Sequence, residues 1–295
     1  MPRGARERRV RHSIPGRPDH QRPLLRLRAL LLDRRRVHHP LRAVARLELD
    51  GVPAARLAQR WGVPQCGVFQ RLPSSLDAIH DLGAQGAPAG TVVLAEEQTA
   101  GRGRDGRTWH SGAGGVWLGM LFRPAQTDLS AFSLRAGLVV ADVVDEQAGR
   151  TLARLKWPND VVVGDRGRKL AGILCEGRWQ GEALQWLALG IGVNVANPIP
   201  PALADRAATL TEFVPAVRRL DVLDGLVPAL TRLAAHGLRL TDAECAAFAE
   251  RDWLRGRQLR TPLFGRAAGV RADGALLVDT GVATAGVREG HVELA

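Results

Sequence analysis

The stretch that decides the fold reads TVVLAEEQTAGRGRDGRTWHSGAGGVWLGMLF and covers residues 91–122. Its ends, TVVLAEEQT at 91–99 and GVWLGMLFRP at 115–124, have the length and composition of β-strands. The glycines between them satisfy the G-x-G-x-x-G spacing of a dinucleotide-binding loop, which requires a helix immediately afterwards. The segment RTWHSGAGG cannot supply that helix. The stretch therefore predicts strand, loop and strand, and argues against a Rossmann site.

The rest of the chain predicts an α+β fold, in which a mixed or antiparallel sheet is flanked by helices. Helices are predicted from Ser74–Ser75 to about Leu82, over 133–149, and from the capping-box pattern at Thr241 to about Trp253. Further strands are predicted at 153–158, 161–164, 169–177 and 184–195. After Gly256, short runs separated by glycines predict a small C-terminal β-barrel.

The net charge of +11 is confined to the first fifth of the chain. Residues 1–60 contain sixteen arginines and five acidic residues, whereas the remaining residues carry equal numbers of basic and acidic side chains. The body of the protein therefore has no net field that would attract nucleic acid. Within the basic segment, the leucine spacing of residues 24–36 predicts a short helix.

Residues 55–72 have two interpretations. They read either as the helix, turn and helix of a DNA-binding motif or as a helix followed by a strand. We favour the strand, because Pro64 and Gly67 are unfavourable in a recognition helix.

Composition also limits the class and location of the protein. Apolar residues make up 45% and charged residues 24%, which is ordinary for a globular protein. The uncharged stretch Ala183–Ala204 contains three amide side chains and three prolines, which would be costly in a membrane. No apolar run of signal-peptide length follows the basic start, so a cytoplasmic location is expected. The three cysteines are too far apart for a disulfide framework or a metal-ligand spacing.

The glycine–arginine loop at 101–107 is the strongest indication of function. Arg102, Arg104 and Arg107 lie within six residues, so their repulsion and the backbone entropy of the glycines both oppose a folded loop. A bound anion would offset both costs, because arginine can hold a phosphate or carboxylate with two parallel hydrogen bonds. The loop is expected to close over a polyanion. A solvated basic turn and an Arg–Gly segment that binds single-stranded RNA are the alternatives.

A second group of candidate residues lies in the motifs LKWPND and GRKLAGIL. They contain the two lysines of the chain, Lys156 and Lys169, whereas the chain has thirty-nine arginines. Strands joined by the turn DRGR would bring both lysines to one end of a sheet. With Asn159 and Asp160 they would form a site for several anionic oxygens, with Mg²⁺ as a candidate ion. In GIGVNV at 190–195, small residues would let a flat ligand approach, and Asn194 could read an adenine edge.

In this order, the motifs resemble those of the biotin protein ligases, which attach biotin to a carrier domain of carboxylases. The matching patterns are GRGRDGRTW, KWPND, KLAGIL and GIGVN, and the resemblance extends over about residues 68–295. It implies a biotin/lipoate ligase-type catalytic domain over 61–250 and an SH3-like barrel over 251–295. Residues 1–60 remain as an Arg-rich extension of uncertain fold. The implied substrates are biotin and ATP with Mg²⁺, with no tightly bound cofactor.

The resemblance also implies roles for single residues. Those that match the biotin and adenylate site are Ser74, Ser75, Gln98, Gly101, Arg102, Gly103, Arg104, Arg107, Trp109, Lys169 and Gly172. Asn159 and Asn194 match nucleotide contacts, and Arg104, Lys156 and Lys169 are the expected catalytic residues. Two departures weaken the match. Leu76 stands where the family has asparagine, and no tryptophan between Val195 and Arg218 is placed to stack on adenine.

The implied reaction needs no nucleophile from the protein. The biotin carboxylate attacks the α-phosphate of ATP, and a carrier lysine then attacks the resulting biotinyl-5′-AMP. The expected partner is the biotin carboxyl carrier domain of acetyl-CoA carboxylase, and a homodimer is a further candidate assembly. The alternatives are a ligase that is also a biotin-responsive DNA-binding repressor, which would depend on residues 1–60, and a lipoate ligase, which the Arg–Gly loop disfavours. DNA is not expected as a partner but is left open.

Overall fold

The computed structural model describes residues 44–46, 48–124, 128–233 and 239–295, so the helix predicted over 24–36 lies outside the described residues. Its largest element is an eight-stranded sheet. The strands are β1 (Val44–Arg46), β4 (Cys66–Leu72), β5 (Val92–Gln98), β6 (Val116–Phe122), β7 (Ala153–Lys156), β8 (Asp160–Val163), β9 (Arg168–Gln180) and β10 (Ala183–Val193). Their order across the sheet is β1-β4-β5-β6-β10-β9-β8-β7.

The sheet is mixed, as predicted. Strands β4 and β5 pair in parallel, while the other neighbours in the sheet pair antiparallel. The strand, loop and strand expected of residues 91–122 are confirmed as β5 and β6, which pair antiparallel. Every residue of β6 is buried, because its alternate side chains enter two cores on opposite faces of the sheet.

Helices cover both faces. They are α1 (Ala54–Trp61), α2 (Ser75–Ala84), α3 (Phe132–Ala148), α4 (Arg219–Leu233) and α5 (Asp242–Arg251). Helix α2 packs in the smaller core with Trp117 and Leu121, whereas the other helices contribute to the larger core. The predictions of α2, α3 and α5 are confirmed, including the capping box of Thr241 and Glu244. Helix α4 was not predicted; it contains Pro228, a residue that ordinarily ends a helical pattern.

The segment before β4 is part of the main core. A short hairpin of β2 (Glu48–Leu49) and β3 (Val52–Pro53) leads into α1. Leu49, Leu57 and Trp61 are buried, and the Trp61 indole donates to Asp224 of α4 at 2.8 Å. Residues 66–72 form β4, so the strand interpretation of 55–72 is confirmed and a second helix there is excluded. The domain boundary predicted at residues 60/61 stays a prediction.

A second, five-stranded antiparallel sheet forms the C-terminal part. Its strands are β11 (Gln258–Thr261), β12 (Gly265–Val270), β13 (Leu276–Asp279), β14 (Thr284–Val287) and β15 (Glu293–Leu294), in the order β14-β13-β12-β11-β15. The predicted C-terminal strands are therefore present, and the domain boundary predicted at residues 250/251 stays a prediction. Within the described chain no pairing joins β14 to β15, so the sheet is open rather than a closed barrel. β15 is two residues long and pairs with β11.

No helix in the described part of the chain is long and apolar enough to cross a membrane. The cytoplasmic location expected from the sequence stays a prediction.

Asp252 lies where the two sheets meet. The Trp253 backbone N–H donates to Leu155 of β7 at 2.9 Å, and Trp157 donates to the Gly274 carbonyl at 2.9 Å. Asp252 itself is 5% exposed. Its Oδ1 accepts from Leu254, while its Oδ2 has no hydrogen-bond partner among the described residues. Burial raises the pKa of this carboxyl to about 6.

We expect Asp252→Asn to stabilise the protein at pH 8 but not at pH 4. The folded state binds the Asp252 proton more tightly than the unfolded state, whose Asp pKa is about 3.9. Stability from this group is therefore greatest at low pH and is lost as the pH rises through about 6. Because asparagine imitates the protonated form, it should raise the free energy of unfolding at pH 8 by about 1–3 kcal/mol.

Denaturant unfolding at the two pH values measures this difference. The matched control is Asp165→Asn in the exposed turn after β8, which should change stability by less than about 0.5 kcal/mol at either pH. Equal stability of wild type and Asp252→Asn at pH 8 would contradict the prediction.

Candidate active site

One pocket lies between the main sheet, the loop at 101–109 and the C-terminal residues 290–292. Every predicted site residue except Gly101 lines it. These residues are Ser74, Ser75, Gln98, Arg102, Gly103, Arg104, Arg107, Trp109, Lys156, Asn159, Lys169, Gly172 and Asn194. The fold therefore brings the separate sequence motifs to one place.

Gln98, the last residue of β5, fixes the polar end of the pocket. Its Oε1 accepts from the Ser75 backbone N–H at 2.7 Å and from the Ser75 hydroxyl at 3.0 Å. Its Nε2 donates to the Ser111 hydroxyl at 2.7 Å. Leu76 and Leu174 also line the pocket, and both pack in the smaller core. This part can hold an apolar ligand body with a polar, amide-like edge.

Arg102 is bound by two carboxylates. It donates to the two oxygens of Glu176 at 2.8 and 3.1 Å, and to Asp77 at 2.6 Å. Glu176 belongs to β9 and Asp77 to α2, so the arginine connects the loop to two rigid elements. The geometry is the two-pronged one that arginine favours with carboxylates.

The other two arginines of the loop have different surroundings. Arg107 donates to Nδ1 of His291 at 3.2 Å, which ties the loop to the C-terminal segment. Burial, with the charges of Arg107 and Lys156, lowers the pKa of His291, so the ring accepts this bond in its neutral form. Arg104 lines the pocket, and its side chain makes no ion pair with any residue that the structure describes. It is the arginine of this loop that is left available for an anion.

Trp109 lies across two glycines of the sheet. A Cβ on Gly172 would be 2.8 Å from its ring, and a Cβ on Gly192 would be 2.6 Å from its Nε1. Its ring also meets Trp117 edge-on, with centroids 6.4 Å apart. Gly101 serves the loop backbone instead, since a Cβ there would lie 2.5 Å from the Trp109 carbonyl oxygen. The glycines thus let the indole and the loop approach the sheet.

The two lysines face the pocket beside aromatic rings. Lys169 Nζ lies 2.6 Å from Asp160 Oδ1 and 4.9 Å from the Trp109 ring centroid. Lys156 Nζ lies 5.5 Å from the ring centroid of Trp253. Burial lowers the pKa of Lys156, and the Lys169 and Arg107 charges add to this effect while Asp160 opposes it. The site can therefore concentrate positive charge on an anionic ligand.

The two predicted nucleotide contacts also hold the pocket walls. Asn194 is 5% exposed and accepts from Asn197 at 3.1 Å, and its Nδ2 faces the Lys169 carbonyl at 3.4 Å. Asn159 donates to the Ile173 carbonyl at 2.8 Å. Both side chains shape the pocket through these bonds, and their contacts with a nucleotide stay predictions.

Sequence reasoning missed the residues that hold the loop. The sequence indicated Asp77 only as an acidic residue in the first turn of α2. Glu176, two residues after the KLAGIL motif, was given no role. The available signal was charge, because arginines crowded on one loop require carboxylates from elsewhere. His291 carried no such signal, since its contact depends on how the C-terminal part packs.

Known proteins share this sequence pattern and fold. Residues 68–194 match the biotin/lipoate A/B protein ligase family. The chain is 31% identical over 236 residues to the bifunctional ligase/repressor BirA of Bacillus subtilis. That alignment spans 76% of this chain and 72% of that protein. It is 35% identical over 201 residues to the biotin–[acetyl-CoA-carboxylase] ligase of Paracoccus denitrificans. That alignment spans 65% of this chain and 81% of that protein. The chain belongs to the biotin protein ligase family.

The fold agrees with this family assignment. The Aquifex aeolicus biotin protein ligase, solved in complex with biotin and ATP, aligns with a TM-score of 0.65 and 26% sequence identity. The alignment covers 79% of this chain and 99% of that ligase. The family expected from the motifs is thereby confirmed.

The contact between Trp109 and the sheet can be tested by Gly192→Ala. The added Cβ would lie 2.6 Å from the indole Nε1, so Trp109 has to move. We expect an altered near-ultraviolet circular dichroism of the indoles and a loss of about 1–3 kcal/mol of stability.

The control is Gly112→Ala, whose Cβ would make an ordinary 3.6 Å contact with Pro198. A spectrum for Gly192→Ala that equals that of Gly112→Ala would mean that Trp109 does not rest on this glycine.

Proposed function

We propose that this chain is an ATP-dependent biotin protein ligase, which forms biotinyl-5′-AMP and transfers biotin to a lysine of a biotin carboxyl carrier domain. The observation that carries the proposal is the pocket with two unlike ends. One part has Gln98 with the apolar side chains of Leu76 and Leu174, and another has Lys156 within reach of the charges of Lys169 and Arg107. Arg104 also lines the pocket. Biotin has matching ends, because its ring carries an amide-like ureido group and its chain ends in a carboxylate.

The first step joins two anions. An oxygen of the biotin carboxylate bonds to the α-phosphorus of ATP, and pyrophosphate leaves with the electrons of the broken P–O bond. Lys169 and Arg104 would hold the approaching carboxylate and phosphate oxygens together and stabilise the charge that develops on them. The substrate supplies the nucleophile, so this step needs none from the protein.

Mg²⁺ would enter with ATP. The described residues contain no cluster of three or more His, Cys, Asp or Glu side chains placed to hold a metal ion. Asp160 and Asn159 line the pocket and offer oxygen ligands. That agrees with the usual binding of Mg²⁺ through substrate phosphates and one or two carboxylates.

In the second step the uncharged amine of the carrier lysine attacks the acyl carbon of biotinyl-5′-AMP. An amide bond forms, AMP leaves with the bridging oxygen, and the amine gives up a proton. The mixed anhydride must be kept from water until the carrier arrives, and the loop that carries Arg102 and Trp109 covers the pocket for that purpose. A homodimer and the choice of acetyl-CoA carboxylase as the source of the carrier domain stay predictions.

Lys169→Ala and Arg104→Ala should each slow adenylate formation by about 100-fold, because each removes a cation from the reacting oxygens. Biotin-dependent exchange of label between pyrophosphate and ATP measures this step. Arg71→Ala is the control, since Arg71 pairs with Glu97 on an exposed part of the sheet. Near-normal exchange in either pocket variant would reject its assignment.

Biotin should be transferred to a purified carrier domain in the presence of ATP, and lipoate should not. The reason is the match between Gln98, with its fixed carbonyl and amide ends, and a ureido ring; lipoate has no such group. Mass spectrometry of the carrier domain distinguishes the two products. Lipoylation without biotinylation would establish the lipoate ligase alternative instead.

A second candidate function is DNA-binding repression, as the name of the Bacillus subtilis relative records for that protein. This function would depend on the basic residues before β1, since Leu49, Leu57 and Trp61 of the following segment are buried in the main core. A gel shift with the full chain but not with residues 44–295 would support it. A shift with both would place the contact elsewhere.

A further inference from the structure

A series of polar contacts ties the loop at 101–109 to the sheet and to α2. Arg102 donates to Glu176, as described above, and Glu176 Oε2 lies 3.0 Å from Nε2 of His80 on α2. The Nδ1 of His80 in turn accepts from the indole of Trp186 on β10 at 3.1 Å. The series therefore runs from Trp186 through His80 and Glu176 to Arg102, and Asp77 binds the same arginine from the side.

The direction of these hydrogen bonds is fixed by chemistry. An indole N–H can only donate, so Nδ1 of His80 must accept. The neutral imidazole then carries its proton on Nε2, which points at Glu176. Glu176 receives donors from His80 and Arg102, and these hold its pKa at about 2, well below its ordinary value. It remains an anion throughout the working pH range.

Glu176 pairs with Ala188 of β10, beyond the stretch of β9 that pairs with β8, and α2 packs in the smaller core. Trp186 lies so close to α2 that a Cβ on Gly83 would be 2.8 Å from its ring. Arg104, on the same loop, makes no ion pair with the described residues and so does not hold the loop in this way. Arg102 is thus one point at which this glycine-rich segment is attached to packed structure, besides the contacts of Arg107 and Trp109.

We infer that Glu176 is a positioning residue, which acts through Arg102 to keep the loop closed over the adenylate while His80 orients its carboxylate. This inference rests on the proposed ligase function. Glu176 is not required for the bond-forming step itself, because the cations assigned to that step are Arg104 and Lys169. Its loss should therefore affect retention of the intermediate more than its chemistry.

Glu176→Gln should speed the release of biotinyl-5′-AMP from the full-length protein by about fivefold, the effect expected of a partly exposed ion-pair network. Release is measured by chasing labelled adenylate with unlabelled adenylate. Glu176→Asp, which keeps the charge, should restore slow release in part. The melting temperature should stay within about 2 °C of wild type, since the changed side chain is partly exposed.

The matched control is Glu97→Gln, which breaks the Arg71–Glu97 pair on β4 and β5 without touching the loop. A double-mutant cycle with Arg102→Met tests the route of the effect. If Glu176 acts through Arg102, then Glu176→Gln should change nothing further in the Arg102→Met protein. Unchanged release in Glu176→Gln, or an equal effect in both backgrounds, would overturn the inference.

Hydrogen exchange separates this inference from the proposed function. Without ligand, residues 101–109 should exchange faster in Glu176→Gln than in Glu97→Gln or wild type. Should wild type form no biotinyl-5′-AMP, the ligase proposal fails and the attachment of the loop is still decided by this measurement. Equal exchange in all three proteins would show that Glu176 does not hold the loop.

Discussion

Repulsion among cations gathered around one pocket is the constraint on which the rest of the site depends. Six arginine and lysine side chains line it, namely Arg102, Arg104, Arg107, Lys156, Lys169 and Arg206. The structure gives the five that lie in the predicted motifs different surroundings. Carboxylates neutralise Arg102 and Lys169, a neutral imidazole accepts from Arg107, and an indole face lies beside Lys156. Arg104, Arg107 and Lys156 have no ion pair with a carboxylate among the described residues, so an incoming anion meets cations that need not first leave one.

This distribution suits a reaction in which both reactants are negatively charged. A pocket that neutralised all its cations internally would gain little from binding a carboxylate and a phosphate, whereas a pocket that neutralised none would be costly to fold. Asp160 also lies close enough to Lys169 to keep the ammonium in place until phosphate oxygens compete for it. The site is thus organised before the substrates arrive, which lowers the cost of reorganisation during the reaction.

Much of the fold could be predicted because its signals are local. The apolar run of β6, the capping box at Thr241 and the unfavourable Pro64 and Gly67 are each local features of a few residues. The proline within α4 concealed a helix whose formation depends on packing against α3 and α1. The C-terminal strands were expected, but whether they close depends on pairing between β14 and β15, which no local pattern encodes.

In the candidate site, too, local features could be predicted and contacts between distant segments could not. Its motifs could be read from the sequence, because glycine, arginine and lysine at short spacings indicate anion binding directly. The attachment of Arg102 could not, since Asp77 and Glu176 come from elements that the loop meets only in the folded sheet. Asn194 shows a different limit of the sequence. It was predicted as an adenine contact, but its side chain also accepts a hydrogen bond from Asn197 within the pocket wall.

The presence of lysine at position 169, in a chain with thirty-nine arginines, has a physical explanation. Lys169 occupies a narrow space, because a Cβ on Gly172 would lie 3.1 Å from its Cε and the Trp109 ring lies on its other side. A guanidinium is planar and has five N–H donors, and it would need a wider space and more acceptors than the Asp160 carboxylate provides. A compact ammonium can contact Asp160 and then turn to a phosphate oxygen without leaving this space. Lys169 therefore lies where an ammonium fits closely against Asp160 and Trp109 and a guanidinium would need more room.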